Sequence, residues 1–162
     1  MISSASVTDV AQICTIYNHY IDTSVISFET VAVTQTEMKE RMMHSERRRL
    51  PWLVAKNGDT VLGYAYATQW KTRQAYCNSV EITVYLAPET HAKGVGSALY
   101  QALFEKLKAL DIHAVLACIA LPNAQSVALH EKFGMRKVAH FEQVGFKFDR
   151  WLDVGYWQIN LK

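Results

Sequence analysis

The residues best suited to chemistry lie between Val84 and Leu99, where a strand-like run leads through a glycine-containing loop into a helix-like run. Gly94 and Gly96 would let main-chain N–H groups come close to an anion, and the start of the helix adds unpaired donors and the positive end of its dipole. The pattern therefore predicts a cradle for a pyrophosphate group, the alternative being a simple turn. A Rossmann loop would need a third small residue where Leu99 stands, and a P-loop would need Gly-Lys-Ser/Thr, so neither of these nucleotide-binding patterns fits.

Other reactive patterns are missing or have an ordinary explanation. The sequence contains neither Gly-x-Ser-x-Gly nor His-Glu-x-x-His, which argues against an α/β-hydrolase and against a zinc metalloprotease. The three cysteines, Cys14, Cys77 and Cys118, are widely spaced in apolar or aromatic surroundings, so we expect reduced thiols and no disulfide or metal site. The three arginines at residues 47–49 complement a helix C-terminus in solvent, and we do not interpret them as a nucleic-acid site.

The composition limits the kinds of partner. The chain has 162 residues, 50% of them hydrophobic, and its 17 Lys and Arg against 15 Asp and Glu give a formal charge of +2. These values predict one domain over residues 1–162 and exclude nucleic acid or an anionic membrane as the main partner. The longest apolar run, residues 114–121, is far shorter than the roughly 20 residues that cross a bilayer. Because the N-terminus also lacks a signal-peptide pattern, we expect a cytoplasmic protein.

Hydrophobic periodicity places these residues on one sheet flanked by helices. Residues 6–9 and 34–37 begin two helices with capping-box patterns, and residues 57–59 form the tight turn of a hairpin. Residues 113–121 are almost entirely apolar, as expected of a strand covered on both faces. The predicted strands are residues 51–56, 61–68, 80–86, 113–121, 138–148 and 151–161, and the two later helices are residues 94–110 and 123–133. This order predicts an α+β, or mixed α/β, single domain.

The glycine loop resembles the acetyl-CoA pyrophosphate loop of the GNAT superfamily of N-acetyltransferases, whose usual pattern is Gln/Arg-x-x-Gly-x-Gly/Ala. Here it reads His91-Ala-Lys-Gly-Val-Gly96, so that His91 departs from the first position while Lys93 brings a positive charge to the glycines. Nearly the whole chain is similar to phosphinothricin acetyltransferases and to their methionine-sulfoximine-acetylating relatives. The segments that carry this similarity are Tyr17-Asn-His-Tyr-Ile, Ser27-Phe-Glu-Thr, Pro51-Trp-Leu-Val-Ala, Trp70-Lys-Thr-Arg-Gln-Ala-Tyr76, Glu81-Ile-Thr-Val-Tyr, Leu121-Pro-Asn, Ser126-Val-Ala-Leu-His-Glu131 and Asp153-Val-Gly-Tyr-Trp-Gln.

The resemblance implies the GNAT fold, a single central and mostly antiparallel sheet with a splayed parallel pair and helices on both faces. It also implies acetyl-CoA as co-substrate, no metal, and a homodimer, for which the aromatic strands from Phe141 to Trp157 could be either interface or core. Main-chain groups of the strand and the loop would hold the coenzyme, and Asn123 would either hydrogen-bond it or cap the following helix. The implied cofactor-binding residues are Val84, Tyr85, Leu86, Ala92, Lys93, Gly94, Val95, Gly96, Ser97, Asn123 and Ser126.

Two residues have implied catalytic roles. Glu81, in an otherwise apolar strand, matches the glutamate that the family places beside the acceptor amine. A base is useful there because an α-amine has a pKa of about 8, the alternative being an edge-strand glutamate that faces solvent. His130 lies where the phosphinothricin branch has a histidine, which could be a proton donor, a second base, a substrate contact or a structural residue.

The choice of acceptor is expected to depend on residues 70–76. Lys71 and Arg73 would place two cations near the base, and an arginine can grip a carboxylate or phosphinate with its planar fork, the alternative being a solvated loop. Glu29 would attract an ammonium or sulfoximine N–H. The implied substrate-binding residues are Phe28, Glu29, Lys71, Thr72, Arg73, Tyr76 and Thr83.

The sequence thus predicts an acetyl-CoA-dependent N-acetyltransferase that acts on the α-amine of a small anionic amino-acid analogue such as phosphinothricin, methionine sulfoximine or methionine sulfone. Direct transfer is expected, because Cys118 in an apolar strand indicates an inert thiol and not an acetyl-cysteine intermediate. One alternative keeps the fold but acetylates a peptide N-terminus or a polyamine, and the cations Lys71 and Arg73 argue against the polyamine. A second alternative is a non-catalytic CoA-binding module, which the intact Glu81 disfavours.

Overall fold

A computed structural model describes residues 1–90 and 94–161 of the chain. The strands are β1 (Ile2–Ser4), β2 (Trp52–Asn57), β3 (Thr60–Gln69), β4 (Ser79–Leu86), β5 (Ala114–Leu121), β6 (Arg136–Lys147) and β7 (Arg150–Asn160). The helices are α1 (Val10–Thr23), α2 (Gln35–Arg47), α3 (Val95–Ala109) and α4 (Ala124–Lys132). Short 3-10 turns at Val7–Asp9 and Gln74–Tyr76 precede α1 and β4.

All seven of these strands form one sheet in the order β1-β2-β3-β4-β5-β7-β6. Neighbouring strands are antiparallel except β4 and β5, which pair in parallel over residues 79–81 and 114–116. The mostly antiparallel sheet with one parallel pair, predicted from the sequence, is therefore confirmed.

The sheet carries a separate core on each face, because successive side chains of a strand point in opposite directions. On the first face, Leu99 and Leu103 of α3 pack against Ile82 of β4. On the second face, Ile13 of α1 packs in a cluster with Tyr85 of β4. We refer to these as the α3 face and the α1 face. The placement of helices on both faces is as predicted.

Helix ends follow the signals in the sequence. The Glu37 N–H donates to the Thr34 hydroxyl at 3.2 Å, and the Thr34 N–H donates to the Glu37 carboxylate at 2.8 Å, which completes the predicted capping box of α2. Just after α4, Gly134 has a φ of +82°, a conformation that favours glycine and ends the helix, in agreement with the helix predicted to end at residue 133.

Three expectations need correction. Strand β1 was not predicted, since its three residues are too few to show a period, yet it pairs with β2. All three cysteines are free, but Cys77 and Cys118 are exposed and not enclosed by apolar neighbours. Strand β5 is buried on both faces over most of its length, as predicted, but it is open at Cys118, beyond the short segment that pairs with β4.

Two further observations concern only residues 1–90 and 94–161. No helix there is both long and apolar enough to cross a membrane. No group of three or more His, Cys, Asp or Glu side chains there could hold a metal ion.

Candidate active site

The parallel pair of strands opens into a gap just beyond Glu81. In the described part of the chain β4 pairs with β5 only as far as this residue, whereas it continues beside β3 to its end. The Ala87 N–H donates to the Leu62 carbonyl at 2.8 Å, so the odd-numbered main-chain groups of β4 face β3. The main-chain groups of Val84 and Leu86 consequently face the gap, where they can contact a ligand, as predicted for the coenzyme.

The helix α3 begins beside this gap at the predicted glycine loop. Gly94 has a φ of +95°, in the left-handed region that favours glycine. No described atom outside its neighbours lies within 4 Å of a Cβ built there, so backbone conformation and not crowding calls for glycine. A Cβ on Gly96 would make only an ordinary contact of 3.6 Å with a side chain of α4. The predicted residues Ala92 and Lys93, with the neighbouring His91, lie outside the described residues.

A cleft of about 510 Å³ lies between the open end of β4, the start of α3 and the helix α4. The predicted cofactor-binding residues that line it are Val84, Tyr85, Leu86, Gly94, Gly96, Ser97, Asn123 and Ser126. Val95, which was also predicted, is not among the lining residues. The structure thus brings together residues that are separated by up to some forty positions along the chain.

Sequence reasoning missed part of this cleft. The Lys132 ammonium donates to the Ser97 hydroxyl at 3.0 Å and brings a cation to the N-terminal turn of α3. The Tyr20 hydroxyl donates to the Leu86 carbonyl at 2.6 Å and occupies one of the groups predicted to hold the coenzyme. No spacing rule could have found either residue, because Lys132 follows Ser126 by six residues, which is not a same-face helical interval, and nothing in the sequence relates Tyr20 to β4. The remaining missed residues are Ile26, Thr90, Gln125, Ala128 and Leu129.

Asn123 performs one of its two predicted roles in the structure. Its side-chain oxygen accepts the Ser126 N–H at 3.1 Å, which caps the N-terminus of α4. The same residue lines the cleft, so the capping bond holds the amide at its edge.

Glu81 points to the α1 face of the sheet, because its neighbours Val80 and Ile82 belong to the α3 core. Burial raises the pKa of its carboxyl, and the positive charge of Lys71 partly opposes this. Within residues 1–90 and 94–161 no hydrogen bond or ion pair engages the carboxylate. A half-buried carboxylate with a raised pKa, next to the gap between two strands, is a suitable general base.

The neighbours of Glu81 on this face come from the end of the chain. Cys118 of β5 pairs with Tyr156 of β7, and the pKa of each is raised, first by loss of contact with water and then also by the negative charge of Glu81. Cys118 is therefore held as a neutral thiol, although the residue reaches the surface. Tyr156 was missed, since no short-range pattern connects β7 to β4.

A larger cavity, of about 800 Å³, lies beneath α2 on the same face. It reaches from Arg41 to Tyr66 and Thr68 of β3, which are the strand partners of Thr83 and Glu81. The predicted substrate residue Thr83 does not line this cavity and lies one strand further, on β4, beside the predicted base.

His130 lies on the other face of the sheet and is buried. Its Nδ1 lies 2.7 Å from the Ser126 carbonyl, which can only accept, so Nδ1 carries the proton and Nε2 accepts the Tyr100 hydroxyl at 2.9 Å. Burial lowers its pKa and favours the neutral ring. Both ring nitrogens are thus used in hydrogen bonds within the protein. Among the four roles considered from the sequence, this geometry favours that of a structural residue.

The predicted acceptor segment is exposed and runs beside the base. The Lys71 ammonium lies 5.3 Å from the centroid of the Trp70 ring. The same ring makes an edge-on contact with Tyr76, with 5.3 Å between the ring centroids. Arg73 and Thr72 are exposed, and Arg73 precedes the turn Gln74–Tyr76. Of the two predicted cations, only Lys71 is close enough to influence the pKa of Glu81.

Phe28 and Glu29 lie in the connection between α1 and α2, which we term the α1–α2 loop (residues 24–34). The Glu29 carboxylate accepts hydrogen bonds from both terminal nitrogens of Arg41, at 2.6 and 2.9 Å, and another from the Tyr17 hydroxyl. Its pKa is lowered chiefly by the bonds from Arg41. The negative charge is already balanced inside the protein, so the predicted attraction of an ammonium group is weaker than the sequence suggests.

Comparisons with known proteins found similar sequences and structures over nearly the whole chain. A family model described as the acetyltransferase (GNAT) domain matches residues 2–155. Phosphinothricin N-acetyltransferase of Streptomyces viridochromogenes is 41% identical over 157 residues, which are 97% of this chain and 85% of that protein. The L-methionine sulfoximine/L-methionine sulfone acetyltransferase of Pseudomonas paraeruginosa is 34% identical over 161 residues, 99% of this chain and 94% of that protein. A similar solved structure is the crystal structure of a GNAT superfamily phosphinothricin acetyltransferase from Sinorhizobium meliloti in complex with AcCoA. Its TM-score is 0.95 at 32% identity, and the match covers 99% of this chain and 87% of that chain.

Proposed function

Because the chain belongs to the GNAT acetyltransferase family, we propose that it transfers the acetyl group of acetyl-CoA to the α-amine of a small anionic amino-acid analogue. Phosphinothricin, methionine sulfoximine and methionine sulfone are the acceptors that fit this description, and two similar proteins carry these compounds in their names. The observation that carries the proposal is a half-buried carboxylate with a raised pKa, Glu81, at the point where β4 and β5 part.

The cleft on the α3 side is suited to acetyl-CoA. Its donors are the main-chain groups of β4 that face the gap and the N-terminal turn of α3, which favours a pyrophosphate. Lys132 adds a positive charge at that turn. A similar structure was solved in complex with AcCoA, in agreement with this use of the cleft.

In the proposed reaction Glu81 accepts a proton from the ammonium group of the acceptor. The neutral nitrogen then attacks the thioester carbonyl carbon, so that an N–C bond forms and the C–S bond breaks. The second proton leaves the nitrogen as the amide forms and neutralises the thiolate. Main-chain groups of β4 that face the gap, such as those of Val84, are the donors available to the carbonyl oxygen. Direct transfer is favoured over an acetyl-cysteine, because the raised pKa of Cys118 disfavours the thiolate.

Anionic acceptors are favoured by the local charges near the base. Lys71 influences Glu81 directly, and Arg73 is an exposed cation two residues further along. A guanidinium can bind a carboxylate, a phosphinate or a sulfone oxygen through parallel N–H groups. A polycationic acceptor would be repelled by both side chains.

We also propose a homodimer that uses the hairpin of β6 and β7. Strand β6 is the last strand of the sheet, and Phe146 and Trp151 are 54% and 62% exposed with their rings 4.9 Å apart. Trp157, by contrast, is 2% exposed and belongs to the core. The two predicted roles of this region, interface and core, are thus divided between its residues. The exposed aromatic residues are suited to an interface. Static light scattering on wild type and Phe146→Glu tests this, and a wild-type monomer contradicts it.

The decisive test is an acceptor screen. Purified protein is incubated with acetyl-CoA and each of the three compounds, with a peptide N-terminus and spermidine in parallel, and free thiol is measured. We expect thiol release above background with at least one anionic amino-acid analogue and none with spermidine. Release with the peptide alone would move the proposal to a different acceptor, and no release with any amine would favour a CoA-binding module.

A further inference from the structure

Lys147, near the end of β6, is a buried cation that has no role in the proposed reaction. It is 5% exposed, and its ammonium donates to the main-chain carbonyls of Ile21, Ser24 and Ser27 at 2.7, 2.8 and 2.8 Å. An ammonium has three N–H donors, so all of them are used, and a neutral amine could satisfy only two of these carbonyls. The position of the side chain is therefore fixed in three directions.

The three carbonyls lie where the chain leaves α1. The carbonyl of Ile21 is in the last turn of the helix, Ser24 follows its end, and Ser27 precedes Phe28 in the α1–α2 loop. Carbonyls at a helix C-terminus lack partners within the helix and carry the negative end of its dipole, so a cation there is stabilising. Lys147 thus joins the end of α1 to a loop that has neither helix nor strand.

A second contact joins the same strand to the same loop. A Cβ placed on Gly145 would lie 2.3 Å from the Phe28 ring, so this ring rests directly on the main chain of β6. Gly145 and Lys147 are buried, while Val144 and Phe146 are exposed, so the two contacts lie on one face of β6. Gly145 also pairs with Leu152 of β7, which lies four residues before Tyr156 and therefore on the same face of the strand. This is the face that carries Glu81 and its neighbours.

The two ends of the loop are held by different elements. Glu29 is bound by Arg41 of α2 and Tyr17 of α1, and the Ser27 hydroxyl also donates to the Tyr17 hydroxyl at 3.1 Å. Residues 24–28 are held in addition by Lys147 and Gly145 of β6. Without the contacts to β6, the position of Phe28 relative to the sheet would be fixed from one side only.

We propose that Lys147 is a positioning residue for the acceptor site, which holds the α1–α2 loop on β6 and so places Phe28 over the side of the sheet that carries Glu81. The role rests on the proposed function in one respect, that Phe28 contacts the acceptor. Of residues 24–28 only Ile26 lines the coenzyme cleft, whose other walls are mainly β4, α3 and α4, so loss of Lys147 acts more strongly on the acceptor than on acetyl-CoA.

The test compares Lys147→Met with Lys108→Met, which makes the same change at an exposed lysine of α3. For Lys147→Met we expect KM for the acceptor to rise about tenfold or more, because displacement of a binding group by about an ångström has effects of this order. KM for acetyl-CoA should change less than KM for the acceptor, because Ile26 is the one residue of this segment that lines the coenzyme cleft. A fall in thermal stability with an unchanged acceptor KM would reduce Lys147 to a stabilising residue and overturn the proposal.

Two further measurements keep the proposal testable whatever the acceptor. Amide hydrogen exchange of residues 24–28 should be faster in Lys147→Met than in wild type, with exchange in α3 unchanged; equal exchange would overturn the positioning role even if the acceptor screen fails. Gly145→Ala displaces the Phe28 ring without removing a buried charge, and we expect it to raise the acceptor KM in a folded protein. An unchanged KM in this variant would contradict the role of Phe28 placement.

Discussion

The coenzyme cleft and the acceptor side of the sheet are built from different parts of the chain. The cleft uses main-chain groups of β4 and side chains mainly from residues 84–90, 94–97 and 123–132, to which Tyr20 and Ile26 are added. The acceptor side brings together Glu81 of β4, Cys118 of β5 and Tyr156 of β7, under a loop held by Lys147 of β6. Main-chain donors tolerate many side chains, whereas a pocket of side chains from distant strands can change with each substitution. The difference indicates that the coenzyme half is set by the fold and the acceptor half by individual residues.

The largest effect is expected from Glu81→Gln, which removes the base and leaves the cleft intact. We expect kcat to fall by roughly 10²–10⁴-fold with little change in acetyl-CoA binding. Because burial raises the pKa of Glu81, wild-type kcat/KM should decrease on the acid side at a pH above the ordinary glutamate value of about 4.3. Measuring kcat and kcat/KM of both proteins as a function of pH tests this. A kcat that is unchanged by the substitution across the pH range would remove Glu81 from the mechanism.

The same substitution has a second consequence, for stability. A carboxyl whose pKa is raised in the folded state stabilises that state only below its unfolded pKa and destabilises it above. Glu81→Gln should therefore raise the free energy of unfolding at neutral pH, with the gain disappearing as the pH falls below the unfolded pKa. Denaturant titrations at neutral and acid pH check the sign, and a less stable variant at neutral pH would contradict the burial of the charge.

Arg73→Met should produce the next largest effect, limited to the acceptor half. A hydrogen bond to a charged group contributes about 1.5–3 kcal/mol, so we expect the KM for an anionic acceptor to rise about tenfold or more. Arg136→Met, at an exposed position of β6, is the matched control. If Arg73→Met behaves like this control, the arginine belongs to a solvated loop, which is the alternative stated for it above.

Gly94→Ala tests the coenzyme half. An L-residue in the left-handed region costs about 1–2 kcal/mol, so we expect binding of acetyl-CoA to weaken by roughly tenfold while the acceptor KM is kept. Gly96→Ala is the control, since its Cβ would make only an ordinary contact. Isothermal titration with CoA measures both variants, and equal losses would show that crowding and not backbone conformation matters here.

The sequence predicted most of the residues that line the cleft between β4, α3 and α4, because its signals there are local. The end of β4 and the glycine loop follow each other along the chain, and the Asn123 cap is a local pattern of its own, so each can be recognised from neighbouring residues. The acceptor half was less predictable, because Tyr156 reaches Glu81 only through the order of strands β4, β5 and β7. The partners of Glu29 and Lys147 likewise depend on how the α1–α2 loop packs, and hydrophobic periodicity in the sequence does not predict this packing.

Lys132→Gln probes the missed cation of the cleft and should have a smaller effect. Its bond to Ser97 is exposed, and exposed charge pairs contribute about 0.2–1 kcal/mol, so we expect a two- to fivefold weaker affinity for CoA at low salt. Raising the salt concentration should reduce the difference from wild type. A difference that persists in 1 M salt, a Debye length of about 3 Å, would mean that Lys132 acts through packing and not through charge.

His130→Gln is expected to have the smallest effect on turnover and decides whether the two halves share a catalytic residue. Glutamine can donate to the Ser126 carbonyl and accept from the Tyr100 hydroxyl, so it can replace the two bonds that engage the ring nitrogens. We expect kcat to stay within about threefold of wild type, against the 10²-fold or larger loss typical of a missing acid or base. The acid side of the pH profile should not move, because burial already keeps His130 neutral. A shifted profile would place a titrating group on the α3 face and make catalysis a property of both faces of the sheet.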